Sequence, residues 1–114
     1  MSREVRVTDP KTGAQKGSKP ERFDLLPWAA VGQIAEVYAF GAEKYAAHNW
    51  RGGYLWSLSF AALQRHLAAF WSGEDTDPES GLPHLAHAGF HVLALLTFAD
   101  EHRDGDDRFK PPAA

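Results

Sequence analysis

The chain has 114 residues and no cysteine, which excludes disulfides, thiolate zinc sites and cysteine nucleophiles together. Any metal must rest on His, Asp, Glu or Asn. A surplus of one charge is also missing, since 12 Lys and Arg stand against 15 Asp and Glu for a formal net charge of −3. That balance lacks the positive excess that tracks a phosphate backbone, so no nucleic-acid partner is expected. No run approaches the ~18 uninterrupted apolar residues of a membrane span, and the polar start Ser2-Arg3-Glu4 has no signal-peptide core. The expectation is a soluble, cytoplasmic protein with no membrane partner. An apolar content of 44% is that of an ordinary globular domain, and the length suffices for one.

Residues 1–21 are rich in Lys, Gly, Ser, Pro and Thr, with turn signals at Asp9-Pro10 and Thr12-Gly13, and read as a flexible arm. Residues 104–114 read as a polar tail unable to bury a core. The stretch between, 22–103, carries the folding signal. Val31, Ile34, Ala35, Tyr38, Ala42 and Tyr45 recur at helical spacing after Pro27. Trp56, Phe60, Leu63, Leu67 and Phe70 repeat it between Gly52-Gly53 and Gly73, and a third apolar stretch runs from Ser80-Gly81-Leu82-Pro83 to about His102. The predicted fold class is all-α, a small domain of three to four helices. Its core is modest, Val37 and Phe40 point away from the main stripe of the first helix, and four tryptophans add large apolar surface. Assembly into a homodimer or homotetramer is therefore expected.

The polar residues suggest chemistry without naming it. His84, His87 and His91 share one face of the third helix, where imidazoles serve as hydrogen-bonded core residues, metal ligands or proton carriers. Glu36 and Glu43, two turns apart on the first helix, share a face beside Ala29 and Gly32, and form either a solvated surface or an oxygen site for Mg²⁺. The loop carboxylates Glu74, Asp75, Asp77 and Glu79 precede a helix N-terminus, with Glu79 near His84. Lys16, Lys19, Arg22, Lys44, Arg51 and Arg65 are distributed as a phosphate site would need, or as separate surface charges. The glycines around Lys16 lack the spacing of a P-loop, and no His-Asp dipeptide, His-Glu-x-x-His, Gly-x-Ser-x-Gly or Gly-x-Gly-x-x-Gly occurs.

Several separated motifs then stand in a recognisable order: Arg22-Phe23-Asp24-Leu25-Leu26-Pro27, Gly41-Ala42-Glu43-Lys44-Tyr45 with Asn49-Trp50, Arg65-His66-Leu67, Gly73-Glu74-Asp75 through Asp77, and Glu79-Ser80-Gly81 to His84-Leu85. Together with the Gln15-Lys16-Gly17 arm they closely resemble the phage-associated dATP/dGTP diphosphohydrolase N-terminal domain family, often described as MazG-like. The resemblance covers residues 8 to 108. It implies an enzyme of the host cell cytoplasm that splits a purine deoxynucleoside triphosphate into monophosphate and pyrophosphate, with Mg²⁺ (or Mn²⁺) as cofactor. Under it, Glu36, Glu43, Glu79 and His84 hold the metal, and Glu36, Glu43, His84 and His87 form the catalytic set. Lys16, Lys19, Lys44 and Arg65 contact phosphate, and Tyr45, Trp50 or Trp56 stacks on the base. The chain departs from the MazG acidic pattern, with Glu36 and Glu43 seven residues apart and His84-x-x-His87 on the third helix. The alternative from another class is a helical oligomer that captures a nucleotide without cleaving it.

Overall fold

The computed structural model describes residues 4–113, so Ser2 and Arg3 of the polar start lie outside the described residues. Three helices dominate: α1 (Trp28–Lys44), α2 (Trp56–Trp71) and α3 (His84–Glu101). The first two predicted helices are present within two residues of their expected ends, and the third begins at His84, after the Ser80-Gly81-Leu82-Pro83 opening. Short 3-10 turns at Phe23–Leu25, Asn49–Gly52 and Arg103–Gly105 join or end them.

The all-α expectation needs one correction. Inside the arm, β1 (Val5–Thr8) and β2 (Gln15–Ser18) pair antiparallel, with Val5 opposite Ser18 and Thr8 opposite Gln15. The turn between them is built by Asp9, whose Oδ1 accepts the amides of Lys11 (2.8 Å) and Thr12 (2.9 Å), while Gly13 takes φ +77°. The hairpin is a mostly exposed ribbon, so the fold is mainly helical with a small two-stranded sheet.

α3 is the centre of the helical part, with both α1 and α2 packed on it. Trp56, Ala94 and Phe98 form the buried core, with Trp50, Tyr54, Phe90 and Leu95 around it. Gly89 allows α1 a close approach, since a Cβ there would lie 2.5 Å from Ile34 Cδ1. The same crossing covers Val37 and sets Phe40 edge-on to the His87 ring. These two residues are therefore satisfied within the chain, and do not supply the second apolar side assigned to α1 above.

Within the polar tail, Asp107 reaches back to the start of α2. Asp107 Oδ1 accepts the Ser57 amide at 2.9 Å, and its other oxygen takes the Ser57 hydroxyl. α2 has no side-chain cap of its own at Leu55, so a distant carboxylate satisfies its first turn. Asp106 is held by Arg108 through bonds of 2.9 and 2.8 Å, which keep its carboxyl well below the usual carboxylate range. Among the described residues, no helix is long and apolar enough to cross a membrane.

Candidate functional site

Because α1 and α2 both rest on α3, a cleft of about 780 Å³ opens between them. Its size falls in the range of small-molecule sites. One part is aromatic: Tyr38 packs against Phe90 (ring centroids 4.8 Å) and Trp50 (5.7 Å), with Tyr54 and Leu58 alongside. α2 and α3 run antiparallel, so residues late in α2 meet residues early in α3. That juxtaposition makes the other part polar, with Arg65 and His66 from α2, His87 and His91 from α3, Lys44 from α1, and Asp77 and Glu79 from the loop.

The loop is folded back by its own polar groups. Asp77 Oδ1 accepts the Glu79 amide (2.9 Å), the Asp77 carbonyl accepts the Gly81 amide (2.7 Å), and Gly81 adopts φ +71°. The His84 amide, at the start of α3, donates to the Asp75 carbonyl at 2.9 Å. Asp77 is thereby carried to within 3.6 Å of His87 Nε2.

The imidazoles form a hydrogen-bonded stack. Glu74 Oε1 lies 2.6 Å from His84 Nε2, and His84 Nδ1 lies 2.9 Å from His66 Nδ1. A carboxylate only accepts, so His84 donates from Nε2 and, in its neutral form, accepts at Nδ1 from His66. His66 is left with a lone pair on Nε2. Its ring lies flat on that of His87, at 4.6 Å and 6°, with His91 at 6.0 Å. Ser80 Oγ sits 2.6 Å from His87 Nε2, and Ser59 Oγ bridges His91 Nδ1 (2.9 Å) to the Tyr54 hydroxyl (2.6 Å).

Burial is the main influence pushing His66, His87 and His91 below the ordinary histidine range, His91 to about 4. These rings are neutral at pH 7 and gain protons on unfolding. Their contribution to stability is therefore present above pH 6.5 and lost as the pH falls below it, for His91 down to about 4. At pH 5, His91 is expected to cost about 1 kcal/mol after allowance for its partial exposure. Urea unfolding at pH 7.5 and pH 5 checks this, and His91→Gln should flatten the difference.

The residues expected from sequence are spread over several places. His87, Lys44, Arg65, Glu79, Tyr45 and Trp50 line the cleft, with Tyr45 at its exposed rim and Lys44 paired to Glu79 at 2.9 Å. Glu36 and Glu43 share a face as expected, but it lies about 100° around α1 from Val37, exposed and away from the cleft lining. His84 is buried behind His66. Trp56 is in the core, where its indole N–H donates to the His102 carbonyl at 3.1 Å. Lys16 and Lys19 belong to the hairpin region, outside the cleft lining, with Lys19 4.0 Å from Glu4. Among the described residues, potential metal ligands converge at His66, Asp77 and His87, whose ligand atoms lie within 4.8 Å of one another. The set expected for Mg²⁺ or Mn²⁺, Glu36, Glu43, Glu79 and His84, is not gathered in that way. His66 and Asp77 stood in quoted motifs but were not singled out, since one is beside Arg65 and the other sits among four loop carboxylates.

The cleft thus sets an aromatic wall against cations, imidazoles and the carboxylates of Asp77 and Glu79. The chain belongs to the dATP/dGTP diphosphohydrolase N-terminal family, whose profile matches residues 10–108. A protein of Salmonella phage PMBT28 described as "dATP/dGTP diphosphohydrolase" is 33% identical over 76 residues, 67% of this chain and 26% of the relative. The chain thus spans about a quarter of that relative's length. No solved structure matches it.

Proposed function

We propose that the cleft binds a purine deoxynucleoside triphosphate and hydrolyses it to the monophosphate and pyrophosphate. The observation that carries this reading is the division of one cleft into an aromatic part and a part bearing Arg65, Lys44 and the imidazole cluster. Family membership and the name of the phage relative support it. The base lies against the aromatic part, with Tyr45 or Trp50 stacking on it, and Arg65 and Lys44 neutralise the phosphates. Glu79 holds Lys44 until phosphate competes for it.

In the reaction, water adds to the α-phosphorus and the bond from that phosphorus to the bridging oxygen of the β-phosphate breaks. The electron pair leaves on pyrophosphate, and the water proton passes to a base at the polar end, where Asp77 is the carboxylate beside the two stacked imidazoles. Metal dependence belongs to the proposal, but no step is drawn through Mg²⁺, because its expected carboxylates do not converge. The homo-oligomer, dimer or tetramer, belongs to it as well. It is supported by an exposed apolar face opposite the cleft, made by Phe60, Leu67 and Trp71 of α2 and Leu85, Val92 and Leu96 of α3.

The test is incubation with a panel of nucleoside and deoxynucleoside triphosphates plus Mg²⁺ or Mn²⁺, with products separated by ion exchange. Deoxynucleoside monophosphate and pyrophosphate are expected, most rapidly from dATP or dGTP. Intact nucleotide co-eluting with the protein would replace hydrolysis by capture, and neither product nor binding would end the nucleotide reading. Tyr45→Ala, which removes an exposed rim residue without touching the core, should raise KM about tenfold with little change in kcat, from the ~1–3 kcal/mol of a base–aromatic stack. Steady-state kinetics on the preferred triphosphate checks it.

A further inference from the structure

We infer that His66, Asp77 and His87 form a binding site for one divalent first-row transition-metal ion on the floor of the cleft. The three side chains come from α2, the loop and α3, and their ligand atoms already lie within 4.8 Å of one another. His87 Nε2 and Asp77 Oδ2 are 3.6 Å apart, too long for a hydrogen bond and close to the ~3.3 Å between neighbouring ligands of a tetrahedral ion at zinc distances. The His66 and His87 rings lie flat on one another, so one of them turns about its Cβ–Cγ bond to aim both lone pairs at one ion. His66 donates from Nδ1 into the His84–Glu74 chain, which frees its Nε2. Ser80 Oγ lies 2.6 Å from His87 Nε2, so an ion bound at this nitrogen takes the place of the Ser80 contact. A carboxylate–histidine chain behind a ligand ring is the outer support that metal-binding imidazoles ordinarily have.

The donor set decides the class of ion. Two imidazoles and one carboxylate suit Mn²⁺, Fe²⁺, Co²⁺ or Zn²⁺, whereas Mg²⁺ prefers an oxygen shell. Two histidines and one carboxylate leave coordination positions open, and Arg65 lines the same cleft. Water and a phosphate oxygen can therefore meet there. The site stands without the nucleotide reading, because it is defined by the apo side chains alone.

The test uses the full chain freed of metal by chelation, with no nucleotide present. Co²⁺ is titrated and followed by its visible absorption and by equilibrium dialysis. One Co²⁺ per chain is expected, displaced by an equivalent of Zn²⁺ and retained against a hundredfold excess of Mg²⁺. His66→Ala, His87→Ala and Asp77→Asn should each weaken binding at least tenfold with the helical circular dichroism retained. His84→Phe, which acts only through His66, should weaken it about tenfold. In the unsubstituted chain, Zn²⁺ should shift the imidazole nitrogen resonances of His66 and His87, a readout that needs no variant. Absence of bound Co²⁺, equal competition by Mg²⁺, or undiminished binding in a folded His66→Ala/His87→Ala chain would overturn the assignment.

Discussion

Asp77→Asn is expected to lower turnover of the preferred triphosphate about 10³-fold while KM changes little, a loss of the size that removal of a proton acceptor or of a metal ligand gives. Asparagine keeps the shape of the side chain and the oxygen that accepts the Glu79 amide, so the loop stays folded. What disappears is the negative charge beside His66 and His87. Steady-state kinetics read alongside thermal melting separates the two effects. An Asp77→Asn protein with full turnover would place the chemistry outside this cluster.

Phe98→Ala should have the largest effect on stability, about 3–5 kcal/mol. Phe98 is fully buried and meets Trp50, Tyr54 and the His102 ring, so its removal opens a cavity bordered by rings that cannot all close upon it. The core around it is small, and domains of this size hold only about 5–15 kcal/mol in total. Urea unfolding should give a midpoint far below that of the parent chain or no transition at all. A midpoint within about 1 kcal/mol of the parent would show that stability resides elsewhere, in a subunit interface for example.

The helices were legible because their signals are local. Apolar residues recur every three or four positions, and Pro27, Gly52-Gly53, Gly73 and Pro83 punctuate them. The hairpin was not, since Val5 and Val7 are the only apolar alternation in its strands and the turn is stabilised by one aspartate. The return of Asp107 to α2 was equally invisible, because a cap from 50 residues away leaves no local pattern. At the site, His84, His87 and His91 could be placed on one face by helical geometry. Their differing roles could not, since those depend on what α2 sets opposite each ring: His66 against His84 and His87, and Ser59 against His91. Glu36 and Glu43 were correctly paired with each other, but wheel geometry alone does not say which face of α1 meets the cleft.

The central claim is that this cleft directs water to the α-phosphorus of a purine deoxynucleoside triphosphate. The most direct measurement is hydrolysis in ¹⁸O-labelled water followed by mass spectrometry of both products. The account predicts one labelled oxygen in the monophosphate and none in the pyrophosphate. Label in pyrophosphate or in inorganic phosphate, or a triphosphate recovered intact, would contradict it.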